Sequence, residues 1–240
     1  MSVVNTKKYN TKLKSLYKRR VYLKLLNVKL FYDFICPFSY VCKAMFDKLA
    51  QEYPLNVEYF AKELHVDIGS NGIKTSELLS VLPNYNLILE MLSKMGSQYG
   101  IKINDVKVKY NTKTALILSK LAKRYGKESE YINIVYDSMF NKLENISDLE
   151  VIQQVFKKLD MPTNFTDEEI KKCYIDYSND ASNAIDINLT GVPFVVMDDK
   201  IKIQGLREEK FYIHKIEEYL KNSTVSIKNI NDKSLKLIKN

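Results

Sequence analysis

Residues 29–48 read Lys29-Leu-Phe-Tyr-Asp-Phe-Ile-Cys-Pro-Phe-Ser-Tyr-Val-Cys-Lys-Ala-Met-Phe-Asp-Lys48 and combine a strand with the start of a helix. The apolar, aromatic run from Leu30 to Ile35 predicts a buried β-strand. Pro37 suits the first turn of a helix, where a missing N–H leaves no hydrogen bond unmade. Cys36 is therefore predicted to lie where a strand becomes a helix. Apolar residues then recur at helical spacing, at Tyr40, Val41, Ala44, Met45 and Leu49.

This position predicts a reactive thiol. The free N–H groups and the dipole at a helix start favour an anion, so the pKa of the Cys36 thiol is expected to be lowered and the thiol partly ionised near neutral pH. Ser39, three residues further on, can point its hydroxyl back at the sulfur. The competing interpretation is that Cys36 is a small buried hydrophobe at the end of a strand.

The net charge of +8 belongs to the N-terminal arm. Residues 1–30 hold nine Lys and Arg and no acidic residue, which leaves 28 basic and 29 acidic residues elsewhere. Because the rest of the chain is close to neutral, no nucleic-acid partner is expected. Residues 1–28 are interpreted as a basic extension without a secretory signal, with an organelle presequence or an anionic-surface tether as alternatives, and no membrane span is predicted.

The cysteine content argues against a disulfide scaffold. Of the three cysteines, Cys36 and Cys42 would lie roughly 9 Å apart on one helix, too far for an unstrained disulfide. The two histidines, His65 and His214, are far apart and form no zinc spacing, so no metal site is predicted. An unpaired reactive thiol without a secretory signal favours a cytoplasmic location.

The order of predicted elements indicates one interrupted sheet. Asn56–Ala61 predicts a second strand, which makes the beginning of the chain β-α-β with a parallel pair. Residues 75–189 are helical in pattern almost throughout, with helix-start signatures at Asn111-Thr112, Ser147 to Glu150 and Thr166 to Glu169. A hairpin of Pro193–Met197 and Ile201–Gln204 and a helix from Arg207 to Lys221 follow.

These elements predict an α/β fold of order β-α-β, helical insertion, β-β-α. The predicted sheet domain comprises residues 29–64 and 190–221, the helical insertion residues 65–189, and a polar tail residues 222–240.

A second motif, Thr190-Gly-Val-Pro193, precedes the hairpin. An X–Pro bond in a tight turn is where a cis peptide is found. A cis Pro193 would leave the backbone polar groups of Val192 facing outward, where an extended peptide or thiol ligand can pair with them. The alternative is an ordinary trans proline before a strand.

Together, Phe34-Ile-Cys-Pro-Phe-Ser-Tyr40 and Thr190-Gly-Val-Pro-Phe194 resemble the DsbA-like branch of the thioredoxin superfamily. Within it the chain is most similar to the FrnE-type and 2-hydroxychromene-2-carboxylate isomerase group, whose Asn-Thr-x-x-Ala helix start is matched by Asn111-Thr112-Lys-Thr-Ala115. The resemblance covers roughly residues 29–221. It implies a thioredoxin-like fold with a large inserted all-helical domain.

The resemblance also implies residue roles. Cys36 would be the attacking thiol, Pro37 and Phe38 would shape the surface around it, and Val192 with cis Pro193 would dock the substrate. Asn111 would line the cleft, although a helix-capping role explains it equally. The chain departs from the redox members at Ser39, because those carry Cys-x-x-Cys, whereas the glutathione-dependent isomerases and kappa-class transferases usually carry Ser-Pro-Tyr-Ser.

Three functional hypotheses remain open. The first is a monothiol thiol–disulfide oxidoreductase in which Cys36 attacks a disulfide and an external thiol, glutathione or another small thiol, resolves the product. The second is a glutathione-dependent isomerase or transferase, and the third is a non-enzymatic relative that binds peptides. The expected partners are a disulfide-containing protein or a small thiol or disulfide, without a tightly bound cofactor, and a homodimer stays an open expectation.

Overall fold

A mixed four-stranded sheet forms the centre of the molecule. The computed structural model describes residues 25–79 and 84–221. The sheet order is β2-β1-β5-β6, with β2 parallel to β1 and with β5 and β6 antiparallel to their neighbours. Within the described residues the strands are β1 (Leu26–Tyr32), β2 (Leu55–Ala61), β3 (Ile73–Lys74), β4 (Val108–Lys109), β5 (Phe194–Met197) and β6 (Ile201–Gln204).

Helices connect and cover these strands. In chain order they are α1 (Pro37–Glu52), α2 (Thr75–Leu78), α3 (Tyr85–Ser97), α4 (Lys113–Arg124), α5 (Glu128–Phe140), α6 (Leu149–Lys158), α7 (Asp167–Asp186) and α8, which covers residues 209–221. The predicted parallel β-α-β start is confirmed, because α1 crosses over between β1 and β2. The predicted hairpin near the end is also present, as β5 and β6 pair antiparallel.

Strand β1 has one fully buried face and a second face that is buried only at its end. Leu26, Val28 and Leu30 belong to the large core that also contains α1 and the helical insertion. Phe31 points to the opposite face, where it packs with Phe194 and Ala184. Asn27 is exposed and Lys29 is half-buried, so the strand alternates apolar and polar residues as far as Leu30, and the second face becomes buried only at Phe31.

The predicted bounds of the first strand, Leu30–Ile35, are wrong at both ends. The strand begins at Leu26, so residues 26–28, assigned to the basic extension, pair with β2. It ends at Tyr32 because Asp33 turns the chain: the Asp33 carboxylate accepts a hydrogen bond from the Ile35 N–H at 3.2 Å, and its carbonyl accepts from the Cys36 N–H at 3.1 Å. The remainder of the predicted extension and the polar tail lie outside the described residues.

The insertion is mainly helical but is not helical throughout. Strands β3 and β4 form a small antiparallel sheet within it, pairing Ile73 with Lys109 and Lys74 with Val108. The part of this region from Ser76 to Tyr99 forms two helices, α2 and α3, and Pro83 between them lies outside the described residues.

The predicted helix starts are correct to within one or two residues. Thr166 caps α7 in the predicted capping box with Glu169. At α6 the capping residue is Asp148 and not Ser147, because the Asp148 carboxylate accepts from the Glu150 N–H. At α4 the Asn111 side chain accepts from the Lys113 N–H at 2.9 Å.

The predicted thioredoxin-like sheet with a helical insertion is therefore the architecture of the chain. The insertion lies over the motif helix α1 through contacts with α3 and α5. In residues 25–79 and 84–221, no helix has the length and apolar character needed to cross a membrane.

Candidate active site

Cys36 lies at the N-cap of α1, as predicted. Its carbonyl accepts hydrogen bonds from the N–H groups of Ser39 at 3.1 Å and Tyr40 at 3.3 Å, which form the first turn of the helix. Pro37 occupies the first helical position and lacks an N–H that would otherwise be unpaired. The turn at Asp33 therefore presents the Cys36 thiol at the end of the central strand.

Strand pairing brings the second motif to this thiol. Because β5 runs antiparallel to β1 with Phe194 opposite Phe31, the residues just before β5 lie beside the end of β1. The Val192–Pro193 peptide bond is cis. The Cys36 Sγ donates a hydrogen bond to the Val192 carbonyl oxygen at 3.4 Å. The two motifs named from sequence thus meet in one place.

The surface around the thiol is formed by half-buried residues of both motifs. Pro37, Phe38 and Val192 are half-buried and border Cys36, which is 8% exposed. The Val192 N–H has no hydrogen-bond partner in residues 25–79 and 84–221. An unpaired backbone donor beside a cysteine offers a place for the backbone of a peptide or a small thiol.

The protonation state of Cys36 differs from the prediction. Burial raises the pKa of the Cys36 thiol, and the nearby negative charge of Asp33 raises it further. The Ser39 hydroxyl and the N–H groups of Ser39 and Phe38 oppose this change. The expected lowered pKa is wrong in direction because the cost of ionising a buried sulfur exceeds the stabilisation by one helix start. The resting sulfur is a thiol, as its hydrogen bond to Val192 requires.

Ser39 is fully buried directly behind the sulfur. Within the described residues the Ser39 hydroxyl has no hydrogen-bond partner. It nevertheless lies close enough to Cys36 to favour the thiolate. A hydroxyl in this position can turn toward the sulfur when a negative charge forms there. The predicted pairing of Ser39 with Cys36 is consistent with this placement.

Two charged residues near the thiol were missed by the sequence reasoning. Asp33 is fully buried, and burial raises its pKa to about 6 although the N–H groups of Leu64 and Ile35 donate to its carboxylate. Lys109 is 4% exposed and stands 4.5 Å from the ring centre of Phe140. Burial lowers the pKa of Lys109 to about 8, while Cys36, Asp105 and Asp33 act to raise it.

An aromatic group from the insertion holds the motif. Tyr136 on α5 donates a hydrogen bond to the Asp33 carbonyl at 2.9 Å. Its ring stacks on Tyr40 of α1 with centres 4.7 Å apart and an angle of 10° between planes. Phe140 stacks on Tyr40 in the same way at 5.9 Å. The insertion therefore fixes both the turn before Cys36 and the first turn of its helix.

Asn111 has a structural role in the present arrangement. Its side-chain N–H groups donate to the Ile68 carbonyl at 2.9 Å and to the Glu63 carboxylate at 3.3 Å, while its oxygen caps α4. These bonds tie the loop after β2 to the start of α4. Ligand binding by Asn111 remains a prediction.

The other two cysteines are not placed to complete a dithiol. All three cysteines are unpaired and buried. Cys42 lies in the core with its sulfur 3.9 Å from the Tyr212 hydroxyl, and burial raises its pKa to about 12. Cys173 is fully buried on α7. In the described parts of the chain no three His, Cys, Asp or Glu side chains are grouped so as to hold a metal ion.

Comparisons with known proteins agree with this architecture. A family model for the DSBA-like thioredoxin domain matches residues 27–217, and the chain belongs to this family. The chain is 26% identical over 184 residues to a 2-hydroxychromene-2-carboxylate isomerase from Pseudomonas sp. (strain C18), an alignment that covers 72% of this chain and 82% of that protein.

Two solved structures share the fold. A probable DsbA oxidoreductase from Streptomyces coelicolor superposes with a TM-score of 0.68 at 18% identity, over 80% of this chain and 89% of that one. The cytosolic disulfide reductase DsbM from Pseudomonas aeruginosa, solved with GSH, superposes with a TM-score of 0.54 at 11% identity, over 84% of this chain and 99% of that one. The relatives thus include both oxidoreductases and isomerases.

Proposed function

We propose that the protein is a monothiol thiol–disulfide oxidoreductase with Cys36 as its nucleophile. The observation that carries the proposal is the meeting of Cys36 at the start of α1 with the backbone of Val192, across 3.4 Å, in a site without a second available thiol among the described residues. The membership in the DSBA-like family supports enzymatic thiol chemistry at this place.

The reaction balances in two exchanges. Cys36 attacks one sulfur of a disulfide, so that a Cys36–sulfur bond forms and the substrate S–S bond breaks, and the thiol proton passes to the departing sulfur. An external thiol then attacks the mixed disulfide, which releases a new disulfide and restores the Cys36 thiol. Ser39 and the helix N–H groups stabilise the transient thiolate, and the Val192 N–H holds the ligand backbone.

Glutathione is the external thiol that we propose. It is small enough for a site in which Cys36 is 8% exposed, and the fold is shared with a disulfide reductase that was solved with GSH. The proposal includes a cytoplasmic setting, because three unpaired cysteines suit a reducing compartment. It requires no tightly bound cofactor.

Trapping of the mixed disulfide tests the proposal. The wild-type chain, incubated with oxidised glutathione and then acid-quenched, should gain one glutathionyl group at Cys36, as seen by intact mass and peptide mass spectrometry. Cys36→Ser should gain none, and reduced glutathione should remove the adduct from wild type. Absence of an adduct on folded wild-type protein would refute the proposal.

A glutathione-dependent isomerase or transferase is the second candidate. It is favoured by Ser39, whose buried hydroxyl is free to donate to a ligand sulfur, and by the relative named 2-hydroxychromene-2-carboxylate isomerase. In this case reduced glutathione binds without a covalent bond and its sulfur accepts from Ser39. Calorimetry should then show binding that survives Cys36→Ala and is lost in Ser39→Ala, whereas the oxidoreductase depends on Cys36.

A further inference from the structure

Lys109 is a buried cation that contacts no carboxylate within residues 25–79 and 84–221. Its side chain lies at the edge of the small β3–β4 sheet and is 4% exposed. In residues 25–79 and 84–221 its ammonium makes no hydrogen bond or ion pair, and its only close favourable contact is the face of Phe140 at 4.5 Å. Buried lysines are almost always paired with an anion.

The rest of the chain shows how unusual this is. Lys43 is also fully buried, but its ammonium bonds both carboxylate oxygens of Asp47 at 2.7 and 2.6 Å. Lys120 is 2% exposed and contacts Asp180 at 2.6 Å and Glu128 at 3.2 Å. In the part of the chain that the structure describes, the other deeply buried lysines have acidic partners and Lys109 has none.

The packing places Lys109 on the side of the insertion that faces Cys36. Phe140, against which the ammonium lies, stacks on Tyr40 in the first turn of the Cys36 helix. Burial has the largest effect on the pKa of Lys109, and the charge of Cys36 has the next largest. A side chain that is buried, charged and unpaired therefore lies within electrostatic reach of the nucleophile.

We propose that Lys109 is the counter-ion of the Cys36 thiolate and acts as a positioning residue for the chemistry of this site. In the resting state the thiol is neutral, and the ammonium has no directly bonded anion among the described residues. Ionisation of Cys36 supplies the anion that Lys109 lacks, so the two charges form an ion pair in the reacting state. The proposal deepens the proposed function, on which it rests for the use of the thiolate.

The coupling is reciprocal. If a negative charge on Cys36 holds the proton on Lys109, a positive charge on Lys109 must favour ionisation of Cys36 by the same free energy. At Cys36 itself burial is the largest influence and the hydrogen bonds from Ser39 oppose it, so the resting thiol has a raised pKa. The other titratable groups that face the pair are Asp33 from the turn after β1, Asp105 from the loop before β4, and Tyr136 and Cys42.

The test is the pH dependence of Cys36 alkylation, followed at the Cys36 peptide by mass spectrometry in the full chain. Lys109→Met should raise the apparent pKa of Cys36 and slow its alkylation near pH 7.5 by about tenfold. This factor corresponds to about one pKa unit, the smallest shift typical of a nearby opposite charge. Lys109→Arg should restore most of the rate because it keeps the charge. Lys102→Met is the control, since Lys102 is exposed and lies in the same segment before β4.

An unchanged pKa of Cys36 in folded Lys109→Met, or an equal change in Lys102→Met, would overturn the proposal. Circular dichroism verifies folding, and the rescue by Lys109→Arg separates a charge effect from a packing defect. The result is distinct from that of the trapping experiment. If Cys36 ionisation depends on Lys109 but the wild-type chain forms no mixed disulfide, the ion-pair proposal stands and the oxidoreductase proposal is refuted.

Discussion

The Cys36 thiol donates to the carbonyl oxygen of Val192 at 3.4 Å, although 156 residues separate the two in sequence. The whole helical insertion lies between them in the chain. The antiparallel pairing of β1 and β5 brings them together, so the site is a product of the sheet and not of either motif alone. Ionisation of the thiol must break this bond, since a carbonyl oxygen cannot donate to a thiolate.

Ser39→Cys is expected to convert the site into a dithiol. The Ser39 N–H already bonds the Cys36 carbonyl at 3.1 Å, so a cysteine there lies one helical turn from Cys36. It should resolve the Cys36 mixed disulfide internally, so the reduced variant should reduce insulin in a single turnover without added glutathione and be left with an internal disulfide. Ser39→Ala is the control, and it should slow Cys36 alkylation because the hydroxyl favours the thiolate. Persistent dependence on glutathione in Ser39→Cys would contradict this expectation.

Asp33→Asn should make Cys36 more reactive near neutral pH. The pKa of Asp33 is raised to about 6, mainly by burial, so the carboxylate is charged at pH 7 and its charge raises the pKa of Cys36. Removing the charge should speed alkylation at pH 7 by up to about tenfold, the equivalent of one pKa unit. The wild-type pH–rate profile should show an inflection near pH 6 that the variant lacks. An inflection that persists in Asp33→Asn would assign it to another group.

The same carboxyl makes stability fall as pH rises. The folded chain binds the Asp33 proton more tightly than the unfolded chain, whose pKa is near the usual value of 3.8. Its contribution is therefore fully present below pH 4 and is lost as pH rises through 6. Urea denaturation between about pH 4.5 and 7 should show a steeper loss of stability in wild type than in Asp33→Asn. Parallel curves would contradict the raised pKa.

Lys109→Met is expected to stabilise the fold while it slows the chemistry. Burial lowers the pKa of Lys109 from 10.5 to about 8, so the folded chain holds this proton less tightly than the unfolded chain. The ammonium therefore costs stability below pH 8, and the cost disappears as pH rises toward 10.5. Methionine at this position should raise the free energy of unfolding near pH 7 by about 1–3 kcal/mol. This range allows for the loss of the favourable contact between the ammonium and the Phe140 ring. The gain should shrink near pH 10; a loss of stability at pH 7 would contradict the prediction.

Much of the fold was predictable because its signals are local. The strand β2, the helix start at Pro37 and the capping box at Thr166 each depend on residues within one turn or one strand. The meeting of Cys36 with Val192 followed from the resemblance to a known family, since periodicity alone does not pair distant segments. The short strands β3 and β4 show no alternation of apolar and polar residues, because two residues are too few to show a pattern.

The electrostatics of the site was not predictable in the same way. A helix start predicts a lowered cysteine pKa, yet burial by the insertion reverses the direction, and burial is a property of the assembled fold. Lys109 is one of 37 basic residues, and nothing near it in sequence marks it as buried. Its neighbour Lys107 has the same chemistry and is exposed, so only the packing of the small sheet distinguishes them.

Lys120→Met should have the opposite effect on stability to Lys109→Met. The Lys120 ammonium contacts Asp180 at 2.6 Å, Glu128 at 3.2 Å and the Tyr59 carbonyl at 3.1 Å. Its removal leaves two buried carboxylates without their cation, which typically costs about 3–5 kcal/mol.

Burial already raises the pKa of both carboxyls, and Lys120 opposes this rise. Without the lysine their pKa values should rise further, so the loss of stability in Lys120→Met should be greatest near pH 7 and should diminish as acid protonates them. Lys127→Met, at an exposed position at the start of α5, is the control and should unfold like wild type. Chemical denaturation of the two variants at about pH 5 and pH 7 measures the difference. Equal stability of Lys120→Met and Lys109→Met at pH 7 would show that the carboxylate partners do not determine what a buried lysine contributes to this fold.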